Sequence, residues 1–343
     1  METKRLNVFD LEKDAENIRT AAKILNSGGL VAIPTETVYG LAASAFDSAA
    51  VKNIFTAKGR PQDNPLIVHV CDMEMVKDLV CEIPPIAKEC AKKFWPGPFT
   101  MILPKSEKIP DIVSAGLETV AIRMPSNKVA LEIIKQSRLP LAAPSANTSG
   151  KPSPTSANHV IADLDGKIDA VVVSENSEVG VESTVITLCT NPPRLLRPGG
   201  ITLEQLQEVI PNIAVDKAVL NQIEEGATVS SPGMKYKHYS PKARVVMLDG
   251  SLEKFAEYVN KNATDGTFAL CFLGEEKLLK VPCESLGSKE DKLSQANALF
   301  NSLRRLDEKN CKICFARVPE KSGVGMAVYN RLIRAAAFEV IKL

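Results

Sequence analysis

A chain of 343 residues exceeds what one ordinary hydrophobic core organises, so two domains are the default expectation. Its 45% hydrophobic and 24% charged residues match a soluble globular protein rather than a disordered or fibrous one. With 42 basic and 41 acidic residues the net charge is +1, which argues against broad electrostatic binding of nucleic acid, although a local basic patch stays possible.

The N-terminus, METKRLNVFDLEKDAE, lacks the apolar core of a signal peptide, and no run of 18 apolar residues predicts a membrane span. Eight cysteines are scattered without a dense framework, as in a reducing compartment, so the cytoplasm is the expected location.

Residues 12–27 predict a helix, with Ile18, Ala21, Ala22 and Leu25 on one face and Gly28-Gly29 as its stop. Leu30-Val-Ala-Ile-Pro34 reads as a buried strand. Further strands are expected at 65–71, 99–103, 119–124, 140–144, 170–174, 183–189 and 193–197. Helices are expected at 48–57, 73–80, 84–94, 126–137 and 202–210. This is a mixed α/β domain of short strands, in which ligands sit at strand ends.

From about 211 to 241 the pattern weakens into an expected interdomain linker, ending in Ser230-Ser-Pro-Gly-Met-Lys-Tyr-Lys-His-Tyr-Ser-Pro241. Its composition fits an inert tether and equally a segment that folds over a ligand, since Tyr236, His238 and Tyr239 are costly in a spacer. After 242 a second α/β pattern begins. Strands at 243–248, 267–273 and 311–317 alternate with helices near 251–262, 289–307 and 324–340, which predicts a small three-layer domain with a largely parallel sheet.

Several motifs are absent: GxxxxGK[ST], GxSxG, HExxH and an EF-hand loop. Gly323-Val-Gly325-Met-Ala-Val328 departs from a dinucleotide fingerprint at Val328 and reads as a turn opening a helix. Cys311-Lys-Ile-Cys314 has no second CxxC, and three histidines supply a zinc site poorly, so both thiols read as packed side chains.

What is present lies in the first two hundred residues. Lys58-Gly-Arg-Pro-Gln-Asp-Asn-Pro-Leu-Ile-Val-His-Val70 places two cations beside a glycine, then two prolines, then a buried-type strand. Such a clamp suits a site that grips an anion, with Lys58 as a point charge and Arg60 as a fork. Pro34-Thr-Glu-Thr-Val-Tyr-Gly-Leu41 sets hydroxyls and an acid after a strand, and Thr119-Val-Ala-Ile-Arg-Met-Pro125 carries an arginine near a strand end. Ala142-Ala-Pro-Ser-Ala-Asn-Thr-Ser-Gly-Lys-Pro-Ser153 offers small donors for an anion pocket, and Gly180-Val-Glu-Ser-Thr184 and Leu195-Leu-Arg-Pro-Gly-Gly200 complete the set. Singly, each has a plainer reading: a solvated loop for Lys58 and Arg60, a hydrogen-bonded strand residue for His69, a structural salt bridge for Arg123, a capped turn for Ser145 and Asn147. Six such elements at strand ends of one domain favour function, by positioning and charge stabilisation rather than a covalent intermediate.

PTETVYGL, KGRPQDNPLIVHV, WPGPFT, AIRMP, PSANTSGKPSPT, GVESTV and LLRPGG, in that order, resemble the YrdC/Sua5 family, and the second half, including Tyr329-Asn-Arg-Leu-Ile-Arg-Ala-Ala336, resembles the Sua5 extension. The resemblance covers nearly the whole chain. It implies a YrdC-like twisted mixed sheet with helices forming a concave site over 1–210, a linker or lid over 211–241, and a smaller Rossmann-like α/β Sua5 domain over 242–343. It further implies a nucleotidyltransferase that joins L-threonine, bicarbonate and ATP into threonylcarbamoyl-AMP and pyrophosphate. A separate threonylcarbamoyl transferase complex then modifies adenosine 37 of tRNAs reading ANN codons. By the same resemblance Lys58, Arg60, Ser145 and Asn147 are catalytic. Thr37, His69, Arg123, Ala143 (through its backbone) and Ser183 hold threonine. Arg60, Asn64, Thr119, Ser145, Ser153, Arg197 and Tyr236 hold ATP, with Tyr236 in a lid. Mg²⁺ arrives on the ATP phosphates rather than on a protein metal site, and no organic cofactor, membrane contact or stable nucleic-acid binding is expected.

Two rival readings differ in class. A non-catalytic RNA-binding module is disfavoured by the near-zero net charge and by only eleven Phe, five Tyr and one Trp. A carbamoyltransferase of metallocentre maturation would add an acylphosphatase-like unit and paired CxxC motifs, and the sequence has neither.

Overall fold

The computed structural model describes residues 2–219 and 239–343. The chain forms two compact units: the first runs to Ser149 and resumes at Ser153, and the second takes in Gly150–Pro152 and the C-terminal part.

The first unit opens with β1 (Lys4–Asn7), α1 (Ala15–Asn26), β2 (Val31–Ile33), β3 (Gly40–Ser44), α2 (Ser48–Lys58) and β4 (Ile67–His69). Next come α3 (Met73–Leu79), α4 (Pro85–Phe94), β5 (Phe99–Pro104), α5 (Asp111–Ser114), β6 (Thr119–Arg123), α6 (Lys128–Ser137) and β7 (Leu141–Ala142). It closes with α7 (Ala157–Leu164), β8 (Ala170–Val173), β9 (Thr184–Thr187), β10 (Arg194–Arg197), α8 (Leu203–Gln207) and β11 (Ala214–Val215). Among the described residues these strands make one mixed sheet in the order β1-β8-β2-β3-β7-β4-β6-β5-β9-β10-β11.

Amphipathic helices hold the sheet. Ile18, Ala21 and Leu25 of α1 and Ala130, Ile133 and Ile134 of α6 pack with Val31, Ile33, Ala42, Leu141, Ala170 and Val172. Each of the larger aliphatic side chains contributes about 1.5–3 kcal/mol on burial. Every expected helix and strand of this unit is present, most of them trimmed at the ends. The sequence pattern did not predict β1, β3, α5, α7 or β11. β3, Gly-Leu-Ala-Ala-Ser, is buried at every position, so it shows no alternation to read. β11 and a short helical turn at Lys217–Val219 lie inside the span expected as linker.

The register positions the site. Parallel pairing of β4 with β6 sets His69 opposite Arg123, and antiparallel pairing of β5 with β6 sets Thr100 opposite the same arginine. β7 pairs antiparallel with β3 and β4, and an isolated bridge joins Gly40 to Ser145 just beyond it.

The second unit contains β12 (Arg244–Asp249), α9 (Leu252–Lys261), β13 (Thr267–Cys271), β14 (Cys283–Ser285), α10 (Lys292–Glu308), β15 (Ile313–Arg317), α11 (Gly325–Ala335) and β16 (Val340–Lys342). Its sheet runs β14-β13-β15-β12-β16 with every pair parallel, as an open Rossmann-like α/β sheet requires. Phe255 and Val259 of α9 cover Val246, Leu248, Ala269, Cys271 and Phe315. Three strands were expected and five are found among the described residues, because β14 and β16 are edge strands of three residues each. The last helix, expected over 324–340, ends at Ala335. Ala337 and Phe338 adopt positive φ (48° and 64°), and the chain turns into β16. Cys311 and Cys314 are buried and unpaired, and Gly325 opens α11. No helix among the described residues is long and apolar enough to cross a membrane.

Candidate active site

α2 delivers the first cation. Asp47 caps its start by accepting from the amides of Ala49 and Ala50, and Ala50, Val51, Ile54 and Phe55 bury one face. Lys58 continues that face at the last helical position, so it is only 2% exposed instead of solvated. Gly59 ends the helix in the left-handed region (φ 60°), and its amide reaches Phe55 O and Thr56 O. Lys58 Nζ donates to the carbonyls of Ser145 and Asn147 and lies 3.4 Å from Asn147 Oδ1. Ser149 N donates to Lys58 O at 2.8 Å, so helix end and loop hold each other. Within the loop Ser145 Oγ donates to Asn147 Oδ1, Asn147 Nδ2 donates to Thr148 O, and Ala146 N donates to Tyr39 O.

Arg60 is half-buried and its Nη2 donates to Asn64 O and Pro65 O at 3.3 and 3.4 Å. Asn64 is 1% exposed, yet neither its Oδ1 nor its Nδ2 has a hydrogen-bond partner among the described residues. A buried amide in that state costs on the order of 1–3 kcal/mol until a ligand satisfies it. Pairing of Ile67 with Ala121 brings Thr119, two residues earlier on β6, beside Pro65. Arg60, Asn64 and Thr119 therefore share the N-terminal end of β4 and β6.

Arg123 occupies the other end of β6, about 13 Å from Thr119 at strand rise. It is 4% exposed; Nη1 donates to Thr37 Oγ1 at 2.8 Å, Nε donates to Gly97 O at 3.4 Å, and Nη2 lies 2.7 Å from Glu36 Oε1. Thr37 Oγ1 is also 2.9 Å from Thr35 Oγ1. Buried Ser183 shares a 2.8 Å hydrogen bond with Thr100 Oγ1 and accepts from Arg197 at both its carbonyl (3.0 Å) and its hydroxyl (3.1 Å). Arg197 and Ser183, expected on different ligands, are thus directly bonded. His69 is buried with Nδ1 3.3 Å from Ile67 O; burial first, then the Arg123 charge, push it down to about 3, so the imidazole is neutral. The Ala143 amide already donates to Ile67 O, leaving its carbonyl for any ligand. Ser153 Oγ donates to Glu182 Oε1. Gly199 is needed by packing: a Cβ there would lie 2.2 Å from Thr184 N.

The fold therefore gathers Lys58, Ser145 and Asn147; Arg60, Asn64 and Thr119; and Thr37, His69, Arg123, Ser183 and Arg197 into three adjoining groups on neighbouring strands. Tyr236 and His238, and with them residues 220–238 of the expected lid, lie outside the described residues. Sequence reasoning placed Thr35 and Glu36 in a candidate element without giving either a role, and gave none to Thr100. The acid inside PTETVYGL was visible, but its burial was not.

Among the described residues no cluster of three or more His, Cys, Asp or Glu side chains could hold a metal ion. A family model, Sua5_yciO_yrdC, described as "Telomere recombination", matches residues 23–199, and a second, described as "Threonylcarbamoyl-AMP synthase, C-terminal domain", matches residues 201–337. The chain belongs to the YrdC/Sua5 family. It is 45% identical to the threonylcarbamoyl-AMP synthase of Pyrococcus abyssi over 95% of this chain and 96% of that protein. Identity to the threonylcarbamoyl-AMP synthase of Bacillus subtilis is also 45%, over the full length of both. The solved structure of P. abyssi Sua5 complexed with L-threonine superposes with a TM-score of 0.93 at 44% identity, covering 99% of this chain and 100% of that one. This Sua5-family member thus shares both parts of the two-part architecture, not the first alone.

Proposed function

We propose that this chain is an L-threonylcarbamoyladenylate synthase: it condenses L-threonine, bicarbonate and ATP into threonylcarbamoyl-AMP and pyrophosphate. The group is destined for adenosine 37 of tRNAs reading ANN codons, through a separate transferase complex. The observation that carries this reading is the full-length likeness to a Sua5 structure complexed with L-threonine, to which this chain adds, beside its own strand ends, the buried polar atoms of Glu36 and Asn64 that lack hydrogen bonds among the described residues. The RNA-binding alternative has no comparable support.

Residues 1–210 would carry catalysis, 211–241 would link, and 242–343 would form the Sua5-type domain. Threonine is held by Thr37, His69, Arg123, the Ala143 carbonyl and Ser183. Neutral His69 can accept the substrate hydroxyl if its Nδ1 proton faces Ile67 O. MgATP is held by Arg60, Asn64, Thr119, Ser145, Ser153 and Arg197, with Mg²⁺ entering on the phosphates. The threonine amine is carboxylated, and the carbamate oxygen then attacks the α-phosphorus as pyrophosphate leaves. Both reactants are anions. Lys58 and Arg60, fixed by the α2 terminus and the Ser145–Asn147 loop, offset that repulsion without reorganising. Eight free thiols fit a cytoplasmic enzyme.

The test is pyrophosphate release from MgATP with threonine and bicarbonate each supplied or withheld. Release should need both and be lost in Lys58→Ala and Arg60→Ala. Release independent of threonine, or none from folded protein, removes the proposal. A pocket built for the hydroxyl rejects valine more sharply than it rejects serine, which lacks only a methyl. Turnover with valine above that with serine would contradict this site.

A further inference from the structure

The reaction as assigned gives no role to Glu36, the acid of the Pro34–Leu41 motif. Its side chain is 5% exposed. Arg123 Nη2 is 2.7 Å from Oε1, near enough for an ion pair, but the contact is misaligned, and neither carboxylate oxygen accepts a hydrogen bond among the described residues. The backbone is fixed by Val179, whose amide donates to Glu36 O at 2.8 Å. A buried carboxylate without hydrogen bonds is costly, and such groups are retained where a ligand completes them.

Charge decides what kind of ligand. A substrate carboxylate arriving at Arg123 takes up the only cation paired with Glu36 in the described residues, and two buried anions would then share one guanidinium. A ligand that carries a carboxylate and a cation together cancels both charges. The other acceptors nearby bring no charge to balance an ammonium group: Thr37 Oγ1 takes Arg123, Ser183 Oγ takes Arg197, and the Ala143 carbonyl and the neutral His69 ring can accept a hydrogen bond but leave the cation unpaired. We propose that Glu36 receives the α-ammonium group of the amino-acid substrate while Arg123 holds its carboxylate, so that the Glu36–Arg123 pair selects a zwitterion over a hydroxy acid. This rests on the threonine site assigned above.

The competing role for Glu36 is to orient Arg123 alone. Calorimetric titration separates the two, using L-threonine and 2,3-dihydroxybutanoate, the analogue with a hydroxyl in place of the amine. Glu36→Gln should weaken threonine binding roughly 10- to 100-fold while changing the analogue's affinity by no more than about threefold. ATP affinity should hold, reporting an intact fold. Equal losses for both ligands, or no loss for threonine, would overturn the proposal. If Glu36→Gln does not fold, Glu36→Asp, with its retracted carboxylate, should show the same selective loss, and equal losses there overturn it too. Wild-type protein that binds no threonine would instead bring down the underlying site assignment.

Discussion

Among the described residues, each unit holds a buried arginine–glutamate pair at the end of a central strand, and the two pairs are finished differently. In the second unit Arg317 Nε donates to both oxygens of Glu275 (3.3 and 3.1 Å), and Nη1 donates to Gly250 O at 2.8 Å. Glu275 Oε2 also accepts the Phe272 amide at 3.1 Å, and the guanidinium lies 5.3 and 5.8 Å from the rings of Phe255 and Phe272. In the first unit Arg123 and Glu36 are closer, at 2.7 Å, but both carboxylate oxygens lack hydrogen bonds among the described residues. A buried pair with its polar atoms aligned braces the fold. One that is charged, buried and misaligned keeps its desolvation cost open to a ligand.

The largest test of that contrast is Glu275→Gln. Breaking a completed buried pair should cost about 3–5 kcal/mol, seen as faster amide hydrogen exchange in β12, β13 and β15, with the KM for threonine unchanged. A several-fold rise in that KM would make the second pair more than a brace. Next in size is Arg123→Lys. One ammonium cannot serve Thr37, Gly97 O and a substrate carboxylate together, so threonine-dependent pyrophosphate release should fall about 100- to 1000-fold. A loss below about tenfold would reduce Arg123 to the structural role of Arg317.

Periodicity made most helices and the central strands legible, because amphipathic faces such as Ile18, Ala21 and Leu25 leave a pattern in one dimension. Fully buried β3 and the three-residue strands β14 and β16 leave none. The site was legible as residue types, and only partly as geometry. Lys58 at a helix end next to Gly59 normally extends into solvent, and what buries it is the distant Ser145–Asn147 loop. That His69 faces Arg123 depends on the pairing of β4 with β6, which no local window contains. Glu36 was legible as the acid of a candidate element but went without a role of its own for the same reason: that it lies buried against Arg123 depends on a contact distant in sequence.

The units should also differ in acid. Folded His69 titrates near 3 against 6.5 for the free side chain, so below 6.5 the unfolded chain binds the extra proton. The stability tied to neutral His69 is therefore complete above about pH 6.5 and drains away as pH falls toward 3. The described part of the second unit contains no histidine, so exchange there should lack this dependence. Urea midpoints of His69→Gln should have a flatter slope against pH than wild type between the free value of 6.5 and about pH 4, where only the unfolded chain is protonated at this position. Parallel slopes would mean that His69 is charged in the folded protein.

The smallest effect comes from a matched pair of glycines. Gly59 (φ 60°) in the first unit and Gly323 (φ 54°) in the second are both left-handed, and an added Cβ at either would meet nothing within 4 Å. Alanine at each position therefore costs backbone strain alone, about 1 kcal/mol by urea unfolding. Function should separate them. Gly59 closes the helix that aims Lys58, so Gly59→Ala should raise the KM for ATP a few-fold and leave threonine affinity intact, because Arg123 and Thr37 stand at the opposite strand end. Gly323→Ala should cost the same stability and leave turnover unchanged. Equal kinetic losses in the two variants would mean that strain anywhere in the chain reaches the site, and the two units could no longer be told apart by what their buried charges do.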